Sequence, residues 1–314
     1  MSVRDVIEFY KTKPGRLCGV QFQLKTPIPL QKWEFKHADV KLCGKELGKG
    51  EFGVVQLGEL KTKKGFPVPV AIKSTKGEVE LTKAKIKELM REARLVRFFK
   101  NPNVVRTYGV AVDEQPLFIL LEMVDGGALN KYLAQNKEKI TAEDRLSMTL
   151  GAARGLAYLH KMDMVHCDVA ARNCLVTTYH MVKIADFGLS TTLKAGDVHS
   201  KADQKLKLPV KWLSPETLTN LSYSHKSDVY SFGVLTFEIY TGMEPYSNIQ
   251  NKEAKEKILM GKTLDIPKPL PPQLQSFFKE RVFSKSQNSR PTMTEVIIAL
   301  VSGGAKDIEQ PKKK

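Results

Sequence analysis

One segment, MVHCDVAARNCLVTTYHMVKIADFGLS at residues 164–190, restricts what this chain can fold into more than any other. It places Asp168, Asn173 and Asp186 in one short loop–strand–loop passage. An acid, an amide and a second acid are residue types that can align a hydroxyl nucleophile and hold Mg²⁺ on a nucleoside triphosphate. We therefore expect a fold that brings two loops together around a triphosphate.

The length and composition are those of an ordinary globular chain. Its 314 residues can form one large or two modest domains, and 42% hydrophobic with 27% charged residues is typical of soluble proteins. The sequence has no run of about 18 apolar residues that would predict a membrane span, and the amino terminus lacks the apolar core of a secretory signal. The four cysteines are Cys18, Cys43, Cys167 and Cys174. They show neither metal-ligand spacing nor the density of a disulfide scaffold, so we expect a reducing, cytoplasmic location.

The net charge of +16 is unevenly distributed, because residues 1–120 carry 23 Lys and Arg against 13 Asp and Glu. A basic first part could favour acidic substrates or anionic lipid headgroups. Lysine-rich solvated faces are the simpler interpretation, and we expect no nucleic acid partner because basic and aromatic residues do not interleave.

The chain changes character twice along its length. Residues 1–38 begin with a short amphipathic helical pattern, followed by an alternating, strand-like stretch that stops at prolines. Residues 39–121 are rich in strand patterns around one helix, and residues 122–304 are mainly helical. These patterns predict an α+β, bilobal fold with a small β-rich N-lobe, a larger helical C-lobe and a ligand site in the cleft between them. Residues 305–314 form a basic tail.

A glycine-rich stretch, LGKGEFGVV, lies between two apolar strand patterns. Gly48, Gly50 and Gly53 would let backbone N–H groups approach phosphate oxygens without a Cβ in the way. The stretch is followed by a strand rather than a helix, which argues against a dinucleotide-binding fold.

Two charged residues after the glycines fit the same phosphate site. Lys73 ends the strand pattern VAIK, from which its ammonium could reach the α- and β-phosphates. Glu92 lies on the following helical pattern and would hold Lys73 by an ion pair, although Glu88 lies one turn earlier on the same helix.

The loop residues divide into catalytic and metal-binding groups. We expect Asp168 to face the substrate hydroxyl and Arg172 to supply positive charge near the entering hydroxyl or the γ-phosphate. Asn173 and Asp186 would ligate Mg²⁺ through oxygen, as a hard cation demands.

Further residues are expected to support the loops. His166 and Phe187 are interpreted as packing elements, and Asp228 as an anchor of the catalytic-loop backbone. Glu216 is expected to form a buried ion pair with Arg290.

With these motifs in order, residues 39–301 resemble a protein-kinase domain throughout. DVAARN and LPVKWLSPE look like the tyrosine-specific branch, in which a tyrosine must reach from the Val210–Trp212 platform to Asp168. The stretches ARNCLV, PVKW and KIKELMREARLV are similar to the Fer/Fes group of non-receptor tyrosine kinases. The resemblance implies that ATP binds with Mg²⁺ (Mn²⁺ being the alternative metal), with Leu121 as gatekeeper, Glu122 and Met123 as hinge and Leu175 as pocket floor. The residues implied to contact ATP are Leu47, Gly48, Gly50, Gly53, Val55, Ala71, Lys73, Leu121, Glu122, Met123 and Leu175.

By the same resemblance, residues 1–38 are similar to the last helix and strand of a Src-homology-2 module. The part that would hold its phosphotyrosine-binding arginine is absent, so we expect no phosphotyrosine binding by this remnant.

Two departures from the family pattern concern one regulatory switch. Cys167 replaces the arginine of the His-Arg-Asp motif, and the loop after Asp186 contains no tyrosine, with His199 about where the Fer/Fes tyrosine is expected. We therefore hypothesise that loop phosphorylation does not regulate this chain. The remaining candidate phosphoacceptors are Ser190, Thr191, Thr192 and Ser200. Cys167 is interpreted as a small packing residue, with an oxidation sensor as the alternative.

The sequence as a whole predicts a cytoplasmic protein-tyrosine kinase. A pseudokinase scaffold and a serine/threonine kinase are the alternatives; the complete set of Lys73, Glu92, Asp168, Asn173 and Asp186 argues against the former. Lysines in the loop after Asp186 suggest protein substrates with tyrosine in an acidic context. We expect no transmembrane segment, and the lysines of the tail support at most weak peripheral membrane association.

Overall fold

The first described residues form a small unit of one helix and one hairpin. Helix α1 (Val3–Thr12) is followed by the antiparallel strands β1 (Gly15–Leu17) and β2 (Val20–Phe22). The rings of Tyr10 and Phe22 lie 5.1 Å apart and join helix to hairpin. The predicted helix is confirmed, whereas β1 was not expected. The structure is a computed structural model that describes residues 3–26, 29–50, 53–62, 65–75, 83–193, 197, 200–201 and 208–308.

A six-stranded sheet forms the N-lobe. Its strands are β3 (Glu34–Phe35), β4 (Val40–Gly50), β5 (Gly53–Lys61), β6 (Pro67–Thr75), β7 (Thr107–Ala111) and β8 (Phe118–Glu122). They lie in the order β3–β7–β8–β6–β5–β4, and all pairs are antiparallel except β3–β7. The sheet thus includes β3, which the sequence analysis assigned to the segment before residue 39.

Alternation along the strands gives the sheet two different faces. Val70, Ile72 and Leu120 are fully buried in one apolar cluster on one face. Their neighbours in sequence project from the opposite face, because successive side chains of a strand point to opposite sides. Helix α2 (Lys83–Val96) packs on that second face through Ala93, against Val110 and Ile119.

The C-lobe is mainly helical, as predicted. Its helices are α3 (Leu129–Gln135), α4 (Ala142–Lys161), α5 (Pro215–Asn220), α6 (His225–Thr241), α7 (Asn251–Leu259), α8 (Pro272–Phe277), which continues into a π-helical turn (Phe278–Val282), and α9 (Met293–Ser302). Helix α6 is apolar nearly all round and lies in the core, where it contacts α4 and α3. The Ser224 hydroxyl accepts from the N–H groups of Lys226 and Ser227, so its first turn is capped. The bilobal α+β fold is confirmed.

Short strand pairs shape the loops between these helices. They are β9 (Met164–Val165), β10 (Cys174–Val176), β11 (Val182–Ile184), β12 (Thr191–Thr192), β13 (Ser200–Lys201) and β14 (Ser222–Tyr223). They pair as β10–β11, β12–β9 and β13–β14, all antiparallel. Pairing of β10 with β11 brings the segment before Asn173 close to the segment after Ile184, which is the proximity that the sequence pattern required.

Some elements differ from the expectations. Helix α2 is described over 14 residues and ends at Val96. Helices α3, α5 and α8 are six or seven residues long and were not predicted, because such short helices carry little apolar periodicity. In the described part of the chain, no helix is long and apolar enough to cross a bilayer.

The predicted ion pair between Glu216 and Arg290 is confirmed. Arg290 Nη1 and Nη2 donate to the two carboxylate oxygens at 2.6 and 2.8 Å, and the arginine side chain is 0% exposed. Its other N–H groups donate to the carbonyls of Lys226 and Ser284. Burial opposes ionisation of Glu216, but the hydrogen bonds and charge of Arg290 outweigh it and lower the pKa of Glu216. The pair ties the start of α5 to the segment before α9.

Replacing Arg290 by Met should destabilise the protein, because the largely enclosed Glu216 carboxylate and the carbonyls of Lys226 and Ser284 would lose their donor. We expect a loss of about 3–5 kcal/mol in the free energy of unfolding in urea. The matched control is Lys306→Met, which removes an exposed pair with Glu143 and should change stability by about 0.5 kcal/mol or less.

The pH dependence gives an independent check. The pKa of Glu216 is lowered by folding, so the stabilisation from this pair is present above the unfolded pKa and is lost as pH falls through the folded pKa. Arg290→Met should therefore lose less stability than wild type on acidification. If R290M and K306M lost equal amounts of unfolding free energy on acidification, the assignment would be contradicted.

Candidate active site

The face of the N-lobe sheet opposite Val70 and Ile72 carries several predicted ATP contacts. Ala71 pairs with Leu121 of β8, and Lys73 pairs with Val55 of β5. Directly paired residues of antiparallel strands project to the same face, so these four side chains lie on one surface. Leu121 also packs against the cluster beneath α2. The structure thus brings together the residues expected to line the roof of the cleft.

The glycine-rich stretch forms the hairpin between β4 and β5. Gly48 pairs with Val55, and Gly50 pairs with Gly53, while residues 51–52 lie outside the described part. A Cβ built on Gly48 would meet no heavy atom within 4 Å, so the space beside it is open. Leu47, next to it, is half-buried. This open edge fits a backbone that a phosphate could approach.

The two lobes meet at Lys73 and Asp186. Lys73 Nζ lies 3.9 Å from Asp186 Oδ1, and the lysine is only 8% exposed. Asp186 has φ +55°, a left-handed conformation that is uncommon for a residue with a side chain. Its carboxylate accepts at 3.4 Å from the N–H of Gly188. The backbone of Glu92 lies in α2, but its side chain is outside the described part of the structure, so its predicted pairing with Lys73 stays a prediction.

Asp168 is held by residues of its own loop. Arg172 Nη2 donates to Asp168 Oδ1, and Asn173 Nδ2 donates to the Asp168 carbonyl at 2.9 Å and to Oδ2. The Asp168 N–H donates to His166 Nδ1 at 3.3 Å. These contacts fix the carboxylate at the cleft, where its side chain remains 18% exposed.

Asp228 of α6 anchors the backbone of the catalytic loop, the segment around Asp168, as predicted. The buried carboxylate accepts from the N–H groups of His166 and Cys167 at 2.7 and 3.0 Å. His160 Nε2 lies 3.1 Å from the same group. Cys167, at φ +67°, is thereby held in a left-handed conformation directly before Asp168.

His166 connects the catalytic loop to the second loop. It is buried, its Nε2 donates to the carbonyl of Ala185 at 3.0 Å, and its ring lies 5.4 Å from Phe187. The N–H of Ala185 in turn donates to the Asn173 carbonyl at 2.9 Å. The expectation that His166 and Phe187 keep the loops aligned is confirmed.

Asn173 and Asp186 fit a site for a hard cation. Because Asn173 Nδ2 faces Asp168, its amide oxygen is directed to the other side, while Asp186 supplies a carboxylate. In the described residues no group of three or more His, Cys, Asp or Glu side chains could hold a metal ion. One carboxylate and one amide leave coordination positions for phosphate oxygens and water, as Mg²⁺ on a nucleotide requires.

The expected hinge lies at the end of β8. The N–H of Glu122 already donates to the Arg106 carbonyl at 2.8 Å, so its carbonyl is the backbone group that would meet adenine. Its carboxylate lies 3.1 Å from the buried Lys183, a contact that the sequence analysis missed. Met123 and Leu175 are half-buried, and Leu175 pairs with Lys183 and bridges to Ala128. The sequence signal for the contact between Lys183 and Glu122 was a lysine inside the apolar strand pattern VKI.

The structure also describes Cys167 and several candidate phosphoacceptors, the residues that concern the departures from the family pattern. Ser190 is 1% exposed and its hydroxyl donates to the His166 carbonyl, so it is a poor phosphoacceptor; Thr192 is exposed. Cys167 is buried and burial raises the pKa of its thiol well above the usual value, which favours packing over oxidation sensing. The side chain of Ser200 and all of His199 lie outside the described residues.

The two-lobed fold, with the paired loops facing a glycine-edged sheet, is that of a protein kinase. A family model for protein tyrosine and serine/threonine kinases matches residues 42–300, and the chain belongs to this family.

Curated relatives agree with that family. Tyrosine-protein kinase Fer of Homo sapiens is 36% identical over 275 residues, covering 87% of this chain and 32% of that protein. Fer-related kinase 1 of Caenorhabditis elegans is 34% identical over 298 residues, covering 94% of this chain and 74% of that protein. The transforming protein Fps of Fujinami sarcoma virus, a tyrosine-protein kinase, is 36% identical over 267 residues, covering 84% of this chain and 30% of that protein. The chain thus spans about a third of the length of Fer.

Replacing Asp228 by Asn should loosen the catalytic loop, because an amide nitrogen would face N–H donors that now meet carboxylate oxygens. We expect faster hydrogen exchange at the amides of His166 and Cys167 and a loss of about 2–3 kcal/mol in unfolding free energy. Asp163→Asn is the matched control, since Asp163 is exposed and its backbone conformation suits Asn. Unchanged exchange in D228N would show that the loop does not depend on this anchor.

Proposed function

We propose that this chain is a protein-tyrosine kinase that transfers the γ-phosphoryl group of ATP to a tyrosine hydroxyl. The observation that carries the proposal is the approach of Lys73 to Asp186 across the cleft, beside a loop in which Asn173 and Arg172 both hold Asp168. Phosphoryl transfer needs positioning and charge neutralisation more than strong base catalysis. These residues supply both.

Each residue has a distinct task in the proposed reaction. Lys73 binds the α- and β-phosphates and, with Glu92, keeps them in register. Asp168 orients the tyrosine hydroxyl and takes its proton as the new O–P bond forms and the bond between the γ-phosphorus and the bridging oxygen breaks, releasing ADP. Arg172 balances charge at the entering oxygen. Asn173 and Asp186 hold Mg²⁺ (or Mn²⁺), which when bound neutralises charge on the phosphate oxygens.

The ATP site is proposed between the sheet and the C-lobe. The glycine edge would cover the phosphates, and the sheet residues would enclose adenine above the floor at Leu175. The residues of this pocket are Leu47, Gly48, Gly50, Gly53, Val55, Ala71, Leu121, Glu122 and Met123. Open space beside Gly48 and the half-buried side chains of Leu47, Met123 and Leu175 support this location.

Tyrosine specificity is supported by the platform next to Asp168. The Arg172 guanidinium stacks on the Trp212 ring, with Cζ 4.3 Å from its centroid, so the Val210–Trp212 turn lies beside the catalytic loop. The names of the relatives Fer and Fps support the same class. We propose protein substrates with tyrosine in an acidic context, a cytoplasmic location and no phosphotyrosine binding by residues 1–38.

The proposal is tested with Mg²⁺, ATP and an acidic polymer containing tyrosine. Asp168→Asn and Lys73→Met should each reduce tyrosine phosphorylation by about 100-fold or more, because each removes a group that acts on the reacting atoms. Lys61→Met, at the exposed end of β5, is the matched control for Lys73→Met and should keep wild-type activity.

The other outcomes identify the alternatives. Nucleotide binding without transfer would indicate a pseudokinase, and phosphoserine or phosphothreonine as the product would indicate the other specificity. Equal activity of wild type and D168N would overturn the assignment of Asp168.

We further propose that activity does not require phosphorylation of the loop after Asp186. This loop contains no tyrosine, Cys167 replaces the arginine expected to grip a phosphate, and Ser190 is buried. Treatment of the purified protein with a phosphatase should change kcat less than about threefold. The reason is that no arginine stands at position 167 to bind a phosphate on this loop, so removal of a phosphate breaks no such contact. A larger fall, restored by rephosphorylation of Thr191, Thr192 or Ser200, would contradict the proposal.

A further inference from the structure

One buried acid on α6 has no role in the reaction described so far. Glu238 lies in the apolar run VLTFEIY, between core residues such as Leu235 and Ile239, and is 6% exposed. An acid in such surroundings is costly unless its oxygens meet donors. Its contacts therefore indicate what it stabilises.

Glu238 contacts both the catalytic loop and the substrate platform. Its Oε2 accepts from the N–H of Ala171 at 2.9 Å and from the indole Nε1–H of Trp212 at 3.0 Å. The Ser231 hydroxyl, also on α6, donates to the Trp212 carbonyl at 2.8 Å. Backbone and ring of Trp212 are thus both fixed to α6.

The fixed ring supports the arginine that holds Asp168. Arg172 stacks on Trp212 and donates to Asp168 Oδ1. The contacts therefore run without interruption from Glu238 through Trp212 to Arg172 and Asp168. A second connection runs through Ala171, the residue directly before Arg172.

We propose that Glu238 is a positioning residue, which orients Trp212 and the Ala171 backbone so that Arg172 holds Asp168 in the geometry needed for transfer to tyrosine. The inference rests on the proposed kinase function. It assigns Glu238 no contact with substrate or nucleotide.

The charge of Glu238 supplies a signature that a purely structural residue would lack. Burial raises the pKa of Glu238 to about 7, although the Trp212 and Ala171 hydrogen bonds and the charge of Arg172 lower it. Glu244 raises it further, and the buried thiol of Cys174 also lies within reach of its charge. A carboxylate accepts a stronger hydrogen bond than a carboxylic acid. As pH falls through about 7, Glu238 becomes protonated and its hydrogen bond with the Trp212 indole should weaken. Trp212 should then be held less firmly.

Glu238→Gln is the principal test, since Gln keeps an acceptor oxygen but cannot ionise. At pH 8 we expect kcat for the tyrosine polymer to fall about tenfold, the effect of losing a charge-assisted hydrogen bond, while KM for ATP stays unchanged. At pH 6 the variant and wild type should converge. An unchanged pH profile with only a lower unfolding temperature would reduce Glu238 to a structural residue and overturn the proposal.

A second variant tests the route through the indole. Trp212→Phe keeps a ring beneath Arg172 but removes the donor to Glu238, so kcat should fall at both pH values. Glu238→Gln should then add less than about twofold in the W212F background, because coupled residues are not additive. Full additivity would contradict the route. Glu143→Gln, which removes an exposed acid paired with Lys306, is the matched control and should retain wild-type kcat.

A readout independent of activity separates this inference from the proposed function. The chain has two tryptophans, so Trp33→Phe leaves Trp212 as the emitter. Its emission should change between pH 6 and 8 with a midpoint near 7, and Glu238→Gln should abolish that change. If wild type failed to phosphorylate the polymer, the proposed function would fail while this titration still decided the link. A flat titration in an active enzyme would overturn the link alone.

Discussion

The loop that carries Asp168 depends on the hydrogen bonds that the buried carboxylate of Asp228 accepts. A charged group removed from water needs compensating donors, and here they are the N–H groups of His166 and Cys167, with His160 beside them. Cys167, whose N–H donates to this carboxylate, has a left-handed backbone conformation. Such a conformation persists only where surrounding contacts over-determine it. This residue directly precedes Asp168.

Contacts to backbone groups order the start of the loop after Asp186. The Ser190 hydroxyl donates to the His166 carbonyl, Thr191 pairs with Val165, and Arg91 Nη2 donates to the Ser190 carbonyl at 3.4 Å. A small, buried Cys167 is compatible with them, and this is the physical basis for proposing that the loop needs no phosphorylation.

The sequence predicted those parts of the site that depend on local order along the chain. Asp168, Asn173 and Asp186 could be identified because their residue types and spacing are set by two loops joined by one strand pair, β10–β11. The partners Asp228 and Arg290 were also predicted, through motifs of a recognisable family. The bilobal α+β fold followed from the change from strand to helix patterns after β8.

Contacts between distant segments escaped prediction. Lys183 and Glu238 each stand alone in an apolar stretch, and nothing local reveals that one meets Glu122 and the other meets Trp212. Strand β3 was missed because its two residues carry no alternation, and it exists only through pairing with β7. In each case the tertiary partner, rather than the local pattern, decides the role of the residue.

Two acids on one helix divide the task of holding the catalytic loop. Asp228 and Glu238 are ten residues apart on α6, which corresponds to about 15 Å along its axis. Asp228 holds the loop at His166 and Cys167, before Asp168, and Glu238 holds it at Ala171, after Asp168. Because α6 is buried and capped, its two carboxylates form a rigid template for both ends of the loop. Misplacement of a reacting group by about 1 Å is enough to cost a large part of the rate, so attachment at both ends constrains Asp168 in a way that either contact alone could not.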